Sequence, residues 1–416
     1  MFRNRRDFFK RATAAGAALW TTRAGSQTIA KAARGDLPVE MPDVPKLEPR
    51  IVNGVKEFEL TAELVRTDFV PGRSVDAWGY NGSVPGPTLE VNEGDRVRVI
   101  FRNRLPEMTA LHWHGLEAPM EMDGSLGLGQ DPVPPGGEYT YEFTLNQHGT
   151  LFYHSHFAMQ EMMGQVGLFI VHPKTPYSPP VDRDFGLVIQ EWSILPNNTV
   201  PNTMAMEFNW LTFNGKSGPA ATPMLAKQGE RVRLRLVNLG MDHHPIHLHG
   251  NQFAVTGTEG GRIPENLWHF ENTVMVGVGQ ARDIEFEAKH IGDWMVHCHM
   301  PHHMMNQMVS MVGPVAKESV HAKHMTDSVG FFPADDPAKR AVKGYPQDMW
   351  MSMDFEFEKP ETFGLRKGWS GAMMGMMTMV RVLPPALYDQ IQARIQAATR
   401  ASIGAHVQAS IGGTRA

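Results

Sequence analysis

The stretch GDRVRVIFRNRLPEMTALHWHG at residues 94–115 occurs a second time, in altered form, as GERVRLRLVNLGMDHHPIHLHG at residues 229–250. In both copies, 18 positions separate the first glycine from the first histidine of a His-x-His pair. The alternating polar and apolar residues after each glycine are typical of a β-strand. Self-similarity at a constant offset indicates duplication. We therefore predict two related β modules.

The later part of each copy repeats as well. Tyr-Glu-Phe at 141–143 ends 11 residues before the pair at 154–156, and Ile-Glu-Phe at 284–286 ends 11 residues before the pair at 297–299. Met-Met-Gly also recurs, followed each time by an apolar run and a proline. Short strands between Gly and Pro turns are typical of Greek-key β-sandwiches or barrels. We expect an all-β protein with modules at about 51–175 and 183–384.

The two chain ends lie outside the repeat. Residues 1–32 contain Arg5-Arg6, an apolar Ala-rich run and an A-x-A-like site, and so resemble a twin-arginine signal peptide. We therefore expect a periplasmic or secreted protein, exported by the twin-arginine route. At the other end, helical spacing predicts that 385–416 form a C-terminal helix and tail.

A long insertion interrupts the second module. Residues at about 314–370 are rich in Met, Asp and Pro and have weak periodicity, which favours a long loop. The repeated Met-Met-Gly follows this loop at 373–375, so the closing strand is predicted at 376–383.

Composition excludes several classes of protein. The 416 residues carry a formal net charge of −5, with no basic patch for nucleic acid, and no apolar run reaches the roughly 18 residues of a membrane span. A single cysteine excludes an internal disulfide. His 19 and Met 28 are the unusual counts, and both residue types bind soft or borderline metals.

Eight of the 19 histidines fall in four His-x-His pairs, whereas random placement would give about one pair. Eight imidazoles suit three copper ions and leave open positions for dioxygen. The pairs supply His112, His114, His154, His156, His247, His249, His297 and His299.

The only cysteine, Cys298, lies between two of these histidines, with His303 and Met308 following and His244 preceding the third pair. A thiolate, imidazoles and a thioether are the ligands of a blue-copper site. Because side chains alternate along a strand, the histidines beside Cys298 should point to the opposite face. One tripeptide can therefore serve two metal centres.

These motifs resemble the four copper motifs of the multicopper oxidases, a family that includes laccases and cuprous oxidases. They read His112-Trp-His114-Gly, Tyr-His154-Ser-His156, His244-Pro-Ile-His247-Leu-His249 and His297-Cys298-His299-x3-His303-x4-Met308. The resemblance covers about 51–315 with order and spacing intact. It implies two cupredoxin-like domains that hold four copper ions.

The resemblance also implies a role for each residue. Type 1 copper would be held by His244, Cys298, His303 and Met308, and type 2 copper by His112 and His247. The type 3 pair would be held by His114, His154, His156, His249, His297 and His299. Asp123 matches the acid that orients the type 2 water and relays protons.

Two departures from the family pattern affect these assignments. Met304 stands where family members often have an acid after the type 1 histidine. The insertion also separates Met308 from the closing strand, so Met373 or Met374 compete with it as the axial ligand.

Module one has Ser155 at the position of Cys298, so it contributes only cluster histidines. Each module donates four, and the cluster must therefore lie between a first and a second module. Resemblance to two-domain laccases implies a homotrimer with clusters between subunits; an interface within one chain is the alternative.

The implied reaction couples one-electron oxidation of a donor, contacting an exposed His244 ring, to the four-electron reduction of dioxygen to water. Soft methionine thioethers favour cuprous ion as the donor, while phenols, aromatic amines and ferrous ion stay open. A copper nitrite reductase is a second candidate, but it needs its type 1 cysteine in the first module. A copper-binding tolerance protein without turnover is a third, and it does not need the Cys298 arrangement.

Overall fold

The computed structural model describes residues 37–195, 198–206, 208–304 and 353–412, which belong to one compact unit. The predicted signal segment at 1–32 lies outside these residues and stays a prediction. Within the described part of the chain, no helix is long and apolar enough to cross a membrane.

The first module consists of two facing sheets with the orders β1-β5-β10-β9-β7 and β2-β3-β6-β8, and β4 pairs with β3. Its strands are β1 (Lys46–Leu47), β2 (Arg50–Val52), β3 (Val55–Asp68), β4 (Ser74–Tyr80), β5 (Gly86–Asn92), β6 (Arg96–Asn103), β7 (Leu111–His114), β8 (Glu138–Thr144), β9 (Gly149–Ser155) and β10 (Val166–His172).

The second module repeats this plan with the sheets β12-β11-β14-β20-β16-β17, where β18 pairs with β16, and β13-β22-β21-β15-β19. Its strands are β11 (Arg183–Trp192), β12 (Trp210–Phe213), β13 (Met224–Lys227), β14 (Arg231–Asn238), β15 (His244–Leu248), β16 (Phe253–Thr258), β17 (Gly261–Arg262), β18 (His269–Glu271), β19 (Thr273–Val276), β20 (Gln280–Glu287), β21 (Gly292–Cys298) and β22 (Met377–Leu383). Helix α1 (Pro385–Gly412) follows, so the predictions of an all-β fold and a C-terminal helix are confirmed.

The last two strands of the first module do not alternate between buried and exposed residues. Every residue of β9 and β10 is buried. One face of this sheet packs into the core of the first module through Leu151, Tyr153 and Phe169. The other face, with Phe152 and Leu168, packs against β11 and β14 of the second module. A strand that is covered on both faces reads as a continuous apolar run, which explains this stretch of sequence.

Part of the predicted insertion is described. Residues 353–372 contain three short 3-10 helices, at Asp354–Phe357, Pro360–Thr362 and Trp369–Ala372. Strand β22 then pairs antiparallel with β21 and parallel with β13. The chain therefore returns to the sheet of the second module after the insertion, as β10 completes the first.

A buried ion-pair network links the two modules. The fully buried Arg235 donates two hydrogen bonds to Asp184, both at 2.8 Å, and a third to Thr150 Oγ1 at 2.6 Å. Thr150 lies on β9 of the first module and in turn donates to Asp283 Oδ1 at 2.7 Å. Burial raises the pKa of Asp283, an effect that Arg235 opposes. Arg233 Nη1 also donates to Asp184 Oδ2 at 3.0 Å, so two guanidinium groups together compensate two buried carboxylates at the interface between modules.

The network predicts that Arg235→Met destabilises the fold by roughly 3–5 kcal/mol, because Asp184 and Asp283 lose one of their two buried counter-charges and only Arg233 remains beside them. The free energy of unfolding from denaturant titration measures this loss. Arg66→Met is the matched control, since it removes an exposed ion pair with Asp76, and it should cost no more than about 1 kcal/mol. Equal losses in the two variants would contradict a structural role for the buried network.

Candidate copper centres

Two paired strands of the second module separate the two predicted kinds of metal ligand. In the β15–β21 ladder, Ile246 lies opposite Cys298 and His247 lies opposite His297. Ile246 and Cys298 belong to the core cluster of the module. Because side chains alternate along a strand, His247 and His297 project to the other face of the sheet. The tripeptide 297–299 therefore reaches both faces.

On the core face, a thiol and two imidazoles converge. Cys298 Sγ lies 3.6 Å from His244 Nδ1 and 3.5 Å from His303 Nδ1, and the two Nδ1 atoms are 3.2 Å apart. All three side chains are fully buried. Among the described residues, this group and a second one in module one have the geometry to hold a metal ion.

The electrostatics of the core group favour a bound cation. Burial raises the pKa of the Cys298 thiol to about 12, so the thiolate needs a positive charge beside it. Burial and the neighbouring His244 lower the pKa of His303 to about 3, which keeps its imidazole neutral and able to ligate. This donor set of one thiolate and two neutral imidazoles fits copper.

The expectation of an exposed His244 ring is wrong. Its side chain is fully buried, and its Nε2 donates a hydrogen bond to Glu191 on β11 at 3.0 Å. Glu191 also accepts a hydrogen bond from the amide of Asp242 at 2.7 Å. The carboxylate fixes the tautomer of His244 so that Nδ1 keeps its lone pair for the metal.

On the opposite face, the four other histidines of the second module form one group. His247 Nδ1 donates to the Asn272 carbonyl at 2.7 Å, and His297 Nδ1 donates to the Cys298 carbonyl at 2.8 Å. In the neutral tautomer that these hydrogen bonds favour, Nε2 of each ring is free to bind a metal. His249 Nε2 lies 2.9 Å from His297 Nε2, and the His299 ring contacts His247 with centroids 5.5 Å apart.

The first module holds a matching group on β7 and β9, where His112 and His154 are paired across the ladder. His114 Nδ1 lies 3.3 Å from His154 Nε2, and the His156 ring lies 5.3 Å from that of His112. Burial lowers the pKa of His154 to about 3, so that imidazole is neutral. These donors fit copper as well.

Asp123 lies beside the first-module group. Its backbone carbonyl accepts a hydrogen bond from His112 Nδ1 at 2.7 Å, whereas its carboxylate Oδ1 is 3.5 Å from the same atom. The shorter contact sets the tautomer of His112, so the backbone and not the carboxylate orients the ring. The carboxylate instead accepts a short hydrogen bond from Ser125 Oγ.

The two groups of four do not meet within the described residues of one chain. Each ring contact among these eight histidines joins members of the same module. The second-module residues near His114 are Glu259 and Gly279, which carry no imidazole. Each module therefore presents half of an eight-histidine set.

The predicted axial methionines differ in their placement. Met308 lies outside the described residues and stays a prediction. Met373 is buried in a cluster with Met377 and Met379, apart from the one that contains Cys298. Met374 is exposed.

Two carboxylates beside the histidines carried no sequence motif that identified them. Glu191 comes from a strand 53 residues before His244, so only the fold brings them together. Glu161 Oε2 lies 3.4 Å from His154 Nδ1, and burial, with a contribution from Glu191, raises its pKa to about 7. When the two copies of the repeat are aligned, Glu161 occupies the position of Met304. This alignment could have identified Glu161 from the sequence.

The chain is a duplicated β protein whose second module brings one thiol and two imidazoles together, a donor set that fits copper. Family models described as multicopper oxidase match residues 63–176 and 194–319. The chain is 30% identical to a blue copper oxidase from Nitrosomonas europaea of known structure, with a TM-score of 0.56, over 60% of this chain and 81% of that one.

Curated relatives match over shorter lengths. A copper resistance protein A homolog of Pseudomonas syringae pv. tomato is 39% identical over 137 residues, which are 33% of this chain and 23% of that protein. Multicopper oxidase mco of Staphylococcus aureus is 30% identical over 226 residues, 51% of this chain and 49% of that protein. The matched part thus spans less than half of either relative.

The chain belongs to the multicopper oxidase family. The resemblance drawn from the copper motifs is confirmed, as are the cupredoxin-like fold and copper as the cofactor. Four copper ions, one type 1, one type 2 and two type 3, are the standard set of this family.

Proposed function

We propose that the protein is a multicopper oxidase that couples four one-electron oxidations of a donor to the reduction of one dioxygen, with four protons, to two waters. The observation that carries this proposal is the tripeptide 297–299, which joins a buried thiol–imidazole site to one half of a histidine cluster. Bound copper would supply the chemistry, with one type 1 ion for single electrons and three ions for dioxygen.

The chain itself holds the ligands and connects the sites. His244, Cys298 and His303 are the proposed type 1 ligands of this module, and His112 and His247 the type 2 ligands. The remaining six cluster histidines are the proposed type 3 ligands. The bond path from Cys298 to its neighbours is short, and the hydrogen bond from His297 Nδ1 to the Cys298 carbonyl adds a second connection.

Protons need carriers beside the histidine cluster. Asp123 retains its proposed role, because its carboxylate lies near His112 and is about a quarter exposed. Glu161, whose Oε2 lies 3.4 Å from His154 Nδ1, is a second carboxyl placed to carry protons beside the cluster. It compensates for the absence of an acid at Met304.

The test of this function is the Cys298→Ser variant of the copper-loaded protein. The wild type should show the intense blue absorbance of a thiolate–copper bond and should consume dioxygen with a reducing donor. The serine variant should lose both, because a hydroxyl of nearly equal size replaces the thiolate. Dioxygen uptake that persists in this variant would refute the electron path through Cys298.

The other candidate functions are not favoured. A nitrite reductase needs its type 1 cysteine in the first module, where this chain has Ser155. A copper-binding tolerance protein would bind the metal without dioxygen uptake, so the same assay separates it from an oxidase.

We propose further that the eight-histidine cluster forms between subunits, in a cyclic homotrimer. Support comes from the two half sets, which do not meet within the described part of one chain. The first-module His156 and the second-module His299 are both exposed, as expected for groups that complete a site with a second copy. A head-to-tail interface of two different surfaces forms a ring when its rotation closes, and a rotation of about 120° gives the proposed trimer.

Subunit complementation tests this arrangement. His156→Ala and His299→Ala each damage one half of the cluster and should be inactive alone. When the two variants are mixed in equal amounts and reassembled, activity should return at about one interface in four. At those interfaces the intact first module of the His299→Ala variant meets the intact second module of the His156→Ala variant. If the cluster formed within one chain, no mixture would recover activity.

The donor is proposed to meet the protein at His302. His244 and His303 are both fully buried, but the exposed His302 ring contacts that of His303, with centroids 4.3 Å apart. Asp242 Oδ2 is 3.7 Å from His303 Nε2 and is partly exposed. An imidazole and a carboxylate at this surface suit a cationic donor such as cuprous ion, with phenols as the second candidate.

Replacing His302 with Leu should slow reduction of the loaded protein without changing its blue absorbance, as measured by anaerobic stopped flow. The effect should be larger for cuprous ion than for a phenol, because only the cation gains from imidazole ligation. His269→Leu, at another exposed histidine, is the control. Equal rates for the two variants would place donor contact elsewhere.

We infer that the protein works in the periplasm or outside the cell after twin-arginine export, on the support of the Arg5-Arg6 segment. Cell fractionation of an Arg5→Lys, Arg6→Lys variant tests this, since retention in the cytoplasm is expected.

A further inference from the structure

The first module contains a polar counterpart of the thiol–imidazole site. Ser155 stands at the position of Cys298, Thr109 precedes His112 by the three residues that separate His244 from His247, and Gln160 follows Ser155 by five residues, as His303 follows Cys298. These three side chains are mutually close. Thr109 Oγ1 is 3.2 Å from Ser155 Oγ, which donates to Gln160 Oε1 at 2.7 Å.

A fourth side chain, Gln165, completes this polar group. It is fully buried, and its Oε1 is 3.5 Å from Thr109 Oγ1. Gln165 is the residue immediately before β10, the strand that closes the first module. In the first module, the side chain of the residue directly before the closing strand therefore points toward the group formed around Ser155.

In the second module, Met376 has the same backbone environment as Gln165. The Ser155 amide donates to the Gln165 carbonyl, and the Cys298 amide donates to the Met376 carbonyl, both at 3.1 Å. The Gln165 amide donates to the Gln160 carbonyl at 3.2 Å, and the Met376 amide donates to the His303 carbonyl at 2.9 Å.

The strand register gives the same equivalence. Val166 lies opposite His154, and Met377 lies opposite His297. The residues just before, Gln165 and Met376, are thus counterparts. In the first module five positions separate Gln160 from Gln165, whereas 73 positions separate His303 from Met376, so the insertion lies between two residues of one site.

The side chain of Met376 also faces the correct side of the sheet. It is fully buried in the core cluster that contains Cys298, together with Val380 and Val382 of the same strand. Met377 and Met379 point to the opposite face, where they pack with Met373. Alternation along β22 excludes Met377 and Met379 from the face that carries Cys298, and packing against them places Met373 in the same separate cluster.

We propose that Met376 is the axial ligand of the copper held by His244, Cys298 and His303, in place of Met308, Met373 or Met374. The inference rests on the proposed function of this site. One ligand would then come from the residue directly before the closing strand, 78 positions after Cys298, and not from the loop that follows the cysteine.

The test replaces Met376 in the copper-loaded full chain and measures the visible spectrum and the reduction potential of the blue site. Met376→Leu keeps an apolar side chain of similar size but removes a weak donor, which disfavours the oxidised ion. The ratio of reduced to oxidised protein at a given potential should rise about tenfold, which corresponds to an increase of about 59 mV in the reduction potential of a one-electron site. Met376→Gln, which copies the first module, supplies a harder oxygen donor and should shift the potential the opposite way.

Met308→Leu and Met373→Leu are the matched controls and should leave the spectrum and potential unchanged. A shift in Met308→Leu overturns the inference, and this result does not depend on how well the Met376 variants fold. An unchanged potential in both Met376 variants also overturns it. Absence of a blue band in the wild type would instead refute the proposed function of the site.

Discussion

The antiparallel pairing of β15 with β21 is the constraint on which both metal centres depend. This pairing sets Cys298 against Ile246 on the core face and His297 against His247 on the other. A slip of one residue would exchange the faces, burying the cluster histidines in the core and expelling the thiol. The apolar partners Ile246, Leu248 and Val296 fix the register, because they can be buried only on the core face. The hydrophobic pattern of two short strands thus determines which centre each ligand serves.

The same register in the first module produces a different chemistry. Thr109, Ser155 and Gln160 occupy the positions of the two imidazoles and the thiol, and they satisfy one another by hydrogen bonds. Gln160 also donates to the Met108 carbonyl at 2.9 Å, so the group is anchored to the backbone. These three groups are neutral and hydrogen-bonded, so they need no cation, while the buried Nε2 of Gln165 beside them has no hydrogen-bond partner in the described part of the chain. The thiol of the second module, by contrast, has two imidazole lone pairs beside it and few hydrogen-bond donors.

The duplicated frame and most of the proposed ligands could be predicted from the sequence, because strand alternation and residue spacing are local properties. The four His-x-His pairs and Cys298 are examples, since each motif occupies one strand or its end. The burial of His244 could not be predicted, because Glu191 reaches it from a strand 53 residues away. Met376 was missed for a related reason. The motif after Cys298 offers Met308 at the expected spacing, and only the pairing of β22 with β21 shows which methionine lies before the closing strand.

The position of the insertion has a physical rationale in this arrangement. Its two ends, at His303 and Met376, are joined by a backbone hydrogen bond of 2.9 Å, so a long segment leaves and re-enters the fold at nearly one point. The entropy needed to close a loop grows only with the logarithm of its length, so lengthening a loop with fixed ends costs little stability. Both anchors are buried beside Cys298. Strand β22 pairs with β21 and β13, and its Arg381 also donates hydrogen bonds to the carbonyls of Glu361 and Phe363 in the insertion. The proposed copper site can therefore keep its geometry when the segment between His303 and Met376 changes in length, provided that the contacts of Glu361 and Phe363 with β22 remain.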